Sequence, residues 1–386
     1  MDKHNLLIVH GGGPTAVLNS SLYGVITEAK SSDRIDKIYA SIGGSEGILR
    51  ESFKDLSVLT ESDLGKLLHT PGTAIGSSRY ALTEEDYCHM ADIFLKYNIK
   101  YVLFNGGNGT MDTCGKVQEA CKDREIYVVG IPKTVDNDIA SIDHAPGYAS
   151  AARFIATATA EIGADVRALP IHVCIIEAMG RNAGWITAAS ALARKDGKGA
   201  PHLIYLPERA FDEEAFLEDV ERLYQELGGV VVVVSEGLKD SVGNPIVPPI
   251  FQQGRSVYYG DVSTHLAGLV IRRLGIKARS EKPGLSGRAS MANQSGLDRE
   301  EAILVGREAV KAALAGQAAV MVGIRRAGGE EYRIETPLIP IEKVMLEEKK
   351  LPEKFINPRG NDVTEEFIRW CRPLLREPLP DFIHFN

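Results

Sequence analysis

Residues 132–138 read Pro-Lys-Thr-Val-Asp-Asn-Asp, an order of side chains suited to moving a phosphoryl group. The carboxylates of Asp136 and Asp138 stand two residues apart, with the Thr134 hydroxyl and the Lys133 ammonium just before them. One carboxylate can take the proton of an attacking hydroxyl, the other can serve a metal, and the lysine can offset charge on the transferring group. A plain Asx-rich turn has the same composition, so the segment alone leaves both readings open. What precedes it points to chemistry. Ile126–Ile131 is a short apolar run of the kind that forms a buried strand. A tight turn after such a strand lies at the carboxyl edge of a sheet, where open α/β proteins bind ligands.

Two glycine loops follow other apolar runs in the same way. Gly11-Gly12-Gly13-Pro14-Thr15 follows Leu6–Val9, and Asn105-Gly106-Gly107-Asn108-Gly109-Thr110 follows Tyr101–Phe104. Glycine lets the backbone approach a phosphate closely, and the N-terminus of a following helix supplies N–H groups and a favourable dipole. The spacing is neither GxGxxG nor a P-loop. Two such loops at successive strand ends predict one polyphosphate clamped between them, with two unrelated tight turns as the alternative.

The elements that must carry these loops alternate along the chain. Leu6–Val9, Lys37–Ala40, Tyr101–Phe104, Ile126–Ile131, His172–Ile176, His202–Leu206, Val230–Val234 and Ala318–Val322 read as strands. Several are too continuously apolar for a half-exposed sheet, as expected of strands covered on both faces. Val17–Ala29, Glu84–Tyr97 and Glu213–Glu226 read as helices. This rhythm predicts an α/β protein of two doubly wound, mainly parallel-sheet domains, with the active site in the cleft between them. No internal repeat or low-complexity linker marks the boundary, for which the region after Pro146 and the loop Leu238–Gly260 are candidates. From about Arg325 the rhythm is lost, and the tail is expected to wrap the surface or an oligomer interface.

Composition narrows the function. The 386 residues are 44% hydrophobic and 25% charged, ordinary for a globular protein, and carry a formal net charge of −8. That charge argues against nucleic acid as a partner. It leaves room for an anionic small molecule held by a local cluster of Arg and Lys. No apolar run reaches membrane-spanning length, and the first residues lack a signal-peptide hydrophobic region. Five cysteines without CxxC spacing fit reduced thiols and a cytoplasmic location better than disulfides or zinc. Cys114 and Cys121 are expected to be packing residues.

Taken together, Gly12–Thr15, Gly106–Thr110, Pro132–Asp138, Met179-Gly180-Arg181-Asn182-Ala183-Gly184-Trp185 and Ser235-Glu236-Gly237 resemble the phosphofructokinase family. They stand in the family's order from about Leu6 to Val322, and the likeness is strongest to its pyrophosphate-using branch. The resemblance implies phosphorylation of the 1-hydroxyl of fructose 6-phosphate, a glycolytic reaction, with Mg2+, with ATP or pyrophosphate as donor, and a homodimeric or homotetrameric assembly. It implies Asp136 as general base, with Thr134 and Asp138 positioning substrate and metal, and Lys133 and Arg181 stabilising the transferring group. Gly12, Gly13, Arg79, Tyr80, Asn108, Gly109 and Thr110 would hold the donor, and Asn108 and Asp138 the metal. Met179, Gly180, Arg181 and Glu236 would shape the sugar site, and Arg279 and Arg288 would bind the 6-phosphate. The implied division is 1–146 with about 263–330 for the donor, 147–262 for the sugar phosphate, and 331–386 as an extension on the surface.

Departures from the family pattern bear on donor and acceptor. Asn108 stands where the family usually has a metal-linked Asp. Leu285-Ser286-Gly287-Arg288 replaces a segment usually richer in phosphate-binding side chains, and His172 stands where many members have Arg. These leave open another acceptor, such as sedoheptulose 7-phosphate or an unphosphorylated polyol. Gly109 is the ATP-type residue of the donor loop, while Lys133 is the pyrophosphate-type residue before Thr134. Because a steric and like-charge block excludes a ligand more firmly than a lysine can, the pair is read as favouring ATP slightly. A non-catalytic subunit on the same fold is disfavoured by the presence of Lys133, Asp136, Asp138 and Arg181.

Overall fold

A computed structural model describes residues 2–195, 199–253, 256–329, 331–345 and 347–385. The chain divides into two compact units, Met1–Ser150 with Arg288–Lys349, and Ala151–Gly287 with Lys350–Asn386. Both are built on parallel sheets joined through helices.

In the first unit, β1 (His4–His10), β2 (Ile35–Ser41), β3 (Phe53–Asp55), β4 (Ile99–Gly106) and β5 (Tyr127–Pro132) combine with β12 (Val320–Val322) and β15 (Leu338–Pro340). They form a seven-stranded sheet in the order β15-β12-β5-β4-β1-β2-β3. Its five central strands are parallel, and only β3 and β15 at the edges run antiparallel. The apolar runs of β1 and β4 need cover on both faces because successive side chains point to opposite sides. Leu7, Val9, Val102 and Phe104 enter one core, and Leu6, Ile8, Tyr101 and Leu103 enter the other. β13 (Arg325–Arg326) and β14 (Ile334–Glu335) form a separate small ribbon.

The second unit holds β6 (Val173–Ala178), β7 (Leu203–Tyr205), β8 (Val230–Ser235) and β11 (Ala278–Glu281), an all-parallel sheet ordered β11-β6-β8-β7. β9 (Pro249–Gln253) and β10 (Ser256–Tyr259) pair as a hairpin.

The expected division shifts in two places. The helix Val262–Leu274 buries Val262, Leu266, Leu269 and Val270 in the core of the second unit, so the chain returns to the first unit at Arg288, later than expected. The tail is also more than a surface wrap. β15 closes the first sheet, and residues from Lys350 on belong to the second unit, where Phe355 and Trp370 pack on Trp185 and Phe367 packs on both of them. Cys114 and Cys121 are buried free thiols, each pushed up to about 12 by burial, as packing residues should be. No helix among the described residues is long and apolar enough to cross a membrane.

Candidate active site

The carboxyl ends of β1, β4 and β5 stand side by side in parallel register, His10 opposite Asn105 and Asn105 opposite Ile131. This brings the two glycine loops and the Lys133–Asp138 segment to one sheet edge. Thr110 locks the loops together. A Cβ on Gly11 would fall 2.3 Å from its hydroxyl, and one on Gly106 would fall 2.1 Å from it. The Thr110 side chain is thus a wedge between two backbones, a structural task different from the donor contact expected of it.

Lys133 is buried, and its Nζ donates to Gly11 O at 2.9 Å and Gly13 O at 2.5 Å. Gly12 between them has φ +72, which favours glycine. The Arg288 guanidinium lies against Gly13, where an added Cβ would meet it at 2.6 Å. Arg288, expected with Arg279 on the 6-phosphate, thus lies beside the first glycine loop. Among the described residues neither Arg288 nor Arg79 has an ion-pair partner. Burial, then the Arg79 cation, lower the Arg288 pKa. Burial and Arg288 together lower Lys133 to about 8, against the pull of Asp136 and Asp138. Three cations, Lys133, Arg79 and Arg288, thus gather at this edge beside the carboxylates of Asp136 and Asp138. Tyr80 is at its exposed rim, with its N–H donated to Ser78 Oγ.

The helices that leave the two glycine loops add to that charge. Leu18–Lys30 and Asn108–Ala120 have no side-chain cap hydrogen bond at their cap residues and no acidic residue in the first turn. By contrast, Glu61–Leu67 and Glu84–Lys96, from the same unit, carry full capping boxes and acidic first turns. The positive ends of the site helices are thus left available to an anion. At Gly109 an added Cβ would meet nothing within 4 Å, so the loop is open there.

Asp136 and Asp138 are separated by Asn137 at φ +53, a left-handed residue of the type that tolerates it. Its Oδ1 accepts the Ala145 N–H at 3.0 Å. Thr134 Oγ1 accepts the Asp136 N–H at 3.1 Å and also bonds the Asp138 carboxylate. Asn108 Nδ2 donates to Asp138 Oδ2 at 3.1 Å. Burial raises the Asp138 pKa. Asn108 Oδ1 and Asp138 Oδ1 are buried and accept no hydrogen bond among the described residues. Two such oxygens, on side chains that bond each other, are of the type a hard divalent cation takes. No group of three His, Cys, Asp or Glu suited to a metal occurs among the described residues, so further ligands would come from bound phosphate or water.

In the second unit, Met179, Gly180, Arg181 and Glu236 gather at the carboxyl ends of β6 and β8. Glu236 Oε1 accepts the Gly180 N–H at 3.2 Å, and Ser235 Oγ donates to Gly180 O at 2.7 Å. Gly180 has φ +113, and a Cβ on Gly237 would fall 1.7 Å from Arg181 O. Arg181 itself is exposed, with its guanidinium 5.8 Å from the centre of the Tyr259 ring. Glu208 Oε1 holds the next loop, accepting N–H groups from Gly184 at 2.8 Å and Leu351 at 2.9 Å. Arg279 does not join this group. It pairs with Cys174 near the start of β6, at the other end of the strand from Met179.

Three residues at the first sheet edge escaped the sequence reading. Asn137 was legible as the turn-former between two aspartates. His10 is fully buried, with Nδ1 2.8 Å from Thr73 Oγ1, and burial followed by the Lys133 charge lowers it to about 3. Lys349 reaches the back of the Asp136–Asp138 turn from the tail, and no motif announced it.

The pattern described as "Phosphofructokinase" matches residues 5–313. A pyrophosphate–fructose 6-phosphate 1-phosphotransferase of Rhodospirillum rubrum is 37% identical over 394 residues, covering 99% of this chain and 96% of its own. A sulfofructose kinase of Alkalicoccus urumqiensis is 33% identical over 357 residues, 91% of this chain and 92% of its own. Among solved structures, a pyrophosphate-dependent phosphofructokinase from Marinobacter aquaeolei superposes with a TM-score of 0.88 at 35% identity, covering 98% of this chain and 94% of that one. The tail is therefore part of what these relatives share, and the likeness does not stop at Val322.

Proposed function

The chain belongs to the phosphofructokinase family, and from that premise we propose that it transfers a phosphoryl group from pyrophosphate to the 1-hydroxyl of fructose 6-phosphate. The observation that carries the donor is the cationic cradle. Lys133 is buried between the Gly11 and Gly13 carbonyls, Arg79 and Arg288 flank it without ion-pair partners among the described residues, and two uncapped helices point their positive ends toward it. A compact anion made only of phosphate uses all of that charge, while the adenosine of ATP would use none. This reverses the donor preference drawn from Gly109. Open space at Gly109 permits a nucleotide without attracting one, and the similar proteins from Rhodospirillum rubrum and Marinobacter aquaeolei are both named for pyrophosphate.

Asp136 takes the proton from the acceptor hydroxyl as the oxygen attacks the near phosphorus. Lys133 sits where charge grows on the leaving phosphate and stabilises it without reorganising, because its own hydrogen bonds already fix it. Asn108 and Asp138 would hold Mg2+, which supplies charge neutralisation to the phosphates when bound. Met179, Gly180, Arg181 and Glu236 shape the sugar site.

A second acceptor reading has its own support. Leu285 is 66% exposed and Gly287 has no side chain, in the stretch where the family usually places phosphate ligands. The Alkalicoccus urumqiensis protein, named for sulfofructose, is also similar over nearly its whole length. An acceptor whose terminal anion has less charge than a phosphate suits such a pocket. Purified protein assayed with pyrophosphate and ATP, each against fructose 6-phosphate, sedoheptulose 7-phosphate and sulfofructose, tests both readings. Turnover with pyrophosphate and fructose 6-phosphate is expected to lead. ATP leading overturns the donor, and sulfofructose leading overturns the acceptor.

A further inference from the structure

The tail segment after β15 runs behind the Asp136–Asp138 turn. Glu348 makes an antiparallel bridge with Ile139, and Lys349 donates its backbone N–H to Asp138 O at 2.7 Å. Lys349 Nζ then donates to Asp143 O at 2.8 Å and Ile142 O at 3.0 Å, and lies 3.5 Å from Asn137 Oδ1. These acceptors all belong to the arc 137–143, the path by which the chain leaves the two carboxylates. Asn137 Oδ1 is also the oxygen that fixes Ala145, so the lysine reinforces a contact that stabilises the left-handed residue. Many exposed lysines in this chain pair with carboxylates on the surface. Lys349 directs its ammonium to two backbone carbonyls and an amide oxygen, the arrangement of a brace, with the Asp143 and Asp138 carboxylates also acting on it.

The arc has a further support on its far side. His144 is fully buried between Asp143, at 2.7 Å, and Glu301, at 2.6 Å, and Tyr332 donates its hydroxyl to Glu301 at 2.6 Å. The arc is thus pinned at 143–144 by buried charge and at 137–139 by the tail. Asn137, held left-handed, and Asp138 lie within the pin made by the tail, and Asp136 immediately precedes it.

We infer that Lys349 is a positioning residue for phosphoryl transfer, holding the Asp136-Asn137-Asp138 turn in the geometry that presents Asp136 to the acceptor hydroxyl. It acts through the loop and touches no reacting atom. The inference rests on Asp136 being the base, as proposed above. A displacement of the order of 1 Å at a reacting group can cost roughly a hundredfold in rate, and a left-handed residue that loses its brace has an extended alternative close in energy.

The test uses the full chain as K349M, K349R and D136N, with turnover, KM for pyrophosphate and fructose 6-phosphate, thermal unfolding, and amide exchange. K349M should lose turnover by roughly 30- to 100-fold with both KM values within about threefold of the parent. Amide exchange should quicken at Ala145 and leave the strands of the first sheet unchanged. K349R, whose guanidinium can reach the same carbonyls, should recover turnover to within about fivefold. Turnover of K349M within about twofold of the parent overturns the inference when D136N is inactive. Loss of turnover matched by faster exchange throughout the sheet overturns it too, since the lysine would then serve stability alone. Should K349M not fold, K349Q replaces it under the same criteria. D136N with parental turnover instead removes the base assignment, an outcome separate from either result at Lys349.

Discussion

The two units end their parallel strands in opposite ways. At the edge of the first unit, charged side chains are gathered, three cations beside two carboxylates. Lys133 is buried among carbonyls, Arg79 and Arg288 have no ion-pair partner among the described residues, and the site helices are uncapped. At the edge of the second, the backbone is tied down. Glu236 accepts the Gly180 N–H, Ser235 bonds both Gly180 and Gly237, and Gly237 packs on the Arg181 carbonyl. Its buried acid Glu177 is paired with Lys282 at 2.9 Å. Crowding like charges costs stability, a cost that the proposed phosphate donor would offset. The sugar ring proposed for the second edge would need shape and fixed acceptors, which glycines and a single carboxylate can provide.

That contrast can be broken or sharpened in four ways. The largest effect should come from Lys133→Met. It removes the cation beside the leaving phosphate and leaves two carbonyls without a donor, so turnover with pyrophosphate should fall by roughly a hundred- to a thousandfold. A loss confined to KM would show the lysine to be a binding residue only.

The second effect is on stability. Burial alone would depress His144, but Glu301 and Asp143 on either side hold it up at about 9, against an ordinary value of 6.5. A base raised on folding stabilises fully below its unfolded value and loses that contribution as pH climbs toward the folded one. The first unit should therefore lose roughly 1.5 kcal/mol between pH 6.5 and pH 8. Above that, Lys133 and Lys349, each lowered to about 8, begin to act in the opposite direction. Urea unfolding of H144Q, read by amide exchange in each unit, should show a flatter slope in the first unit and no change in the second.

A third, smaller effect tests the second unit. Glu236→Gln weakens the hold on Gly180 and removes a charged acceptor for a sugar hydroxyl, so KM for the acceptor should rise about tenfold, more than turnover falls. Equal losses in both would assign Glu236 a part in the transition state. The smallest effect is expected of Gly109→Asp. Because nothing stands within 4 Å of the new Cβ, pyrophosphate turnover should stay within about threefold, while any residual ATP turnover should vanish. Like charges about 4 Å apart repel by roughly 4 kcal/mol at an effective dielectric near 20. Persistence of ATP turnover in that variant would mean that the donor does not pass Gly109.

The elements that a sequence shows plainly are those whose hydrophobic pattern is strong. Val230–Ser235 is five valines and a serine and is buried throughout, so its strand could hardly be missed. Ala278–Glu281 reads Ala-Arg-Ser-Glu and alternates half-buried with exposed, because it pairs only with β6 at the rim of its sheet. Polar composition hid that strand, and with it the reason Arg279 and Arg288 separate. The eight residues between them include the end of the strand, and Arg288 opens the return to the first unit. Glycine and aspartate positions were legible because close approach and proton transfer each restrict the residue type. Thr110 was legible as a site residue but not as a wedge, since packing between two glycines leaves no local pattern. Lys349 stands in Glu347-Glu348-Lys349-Lys350, which reads as solvated charge. Only the fold shows which of those side chains turns inward.

The order in which these pieces are made has its own consequence. Asp136 and the Gly184 loop are both translated well before their fasteners, Lys349 for the first and Leu351 for the second. A ribosome that has released residues up to Val322 has already supplied both sheet edges, every glycine loop and all the proposed reacting groups. It has not yet supplied the brace that aims Asp136. Phosphoryl transfer would thus switch on late in translation, and chains that end between Val322 and Lys349 should hold pyrophosphate without using it efficiently.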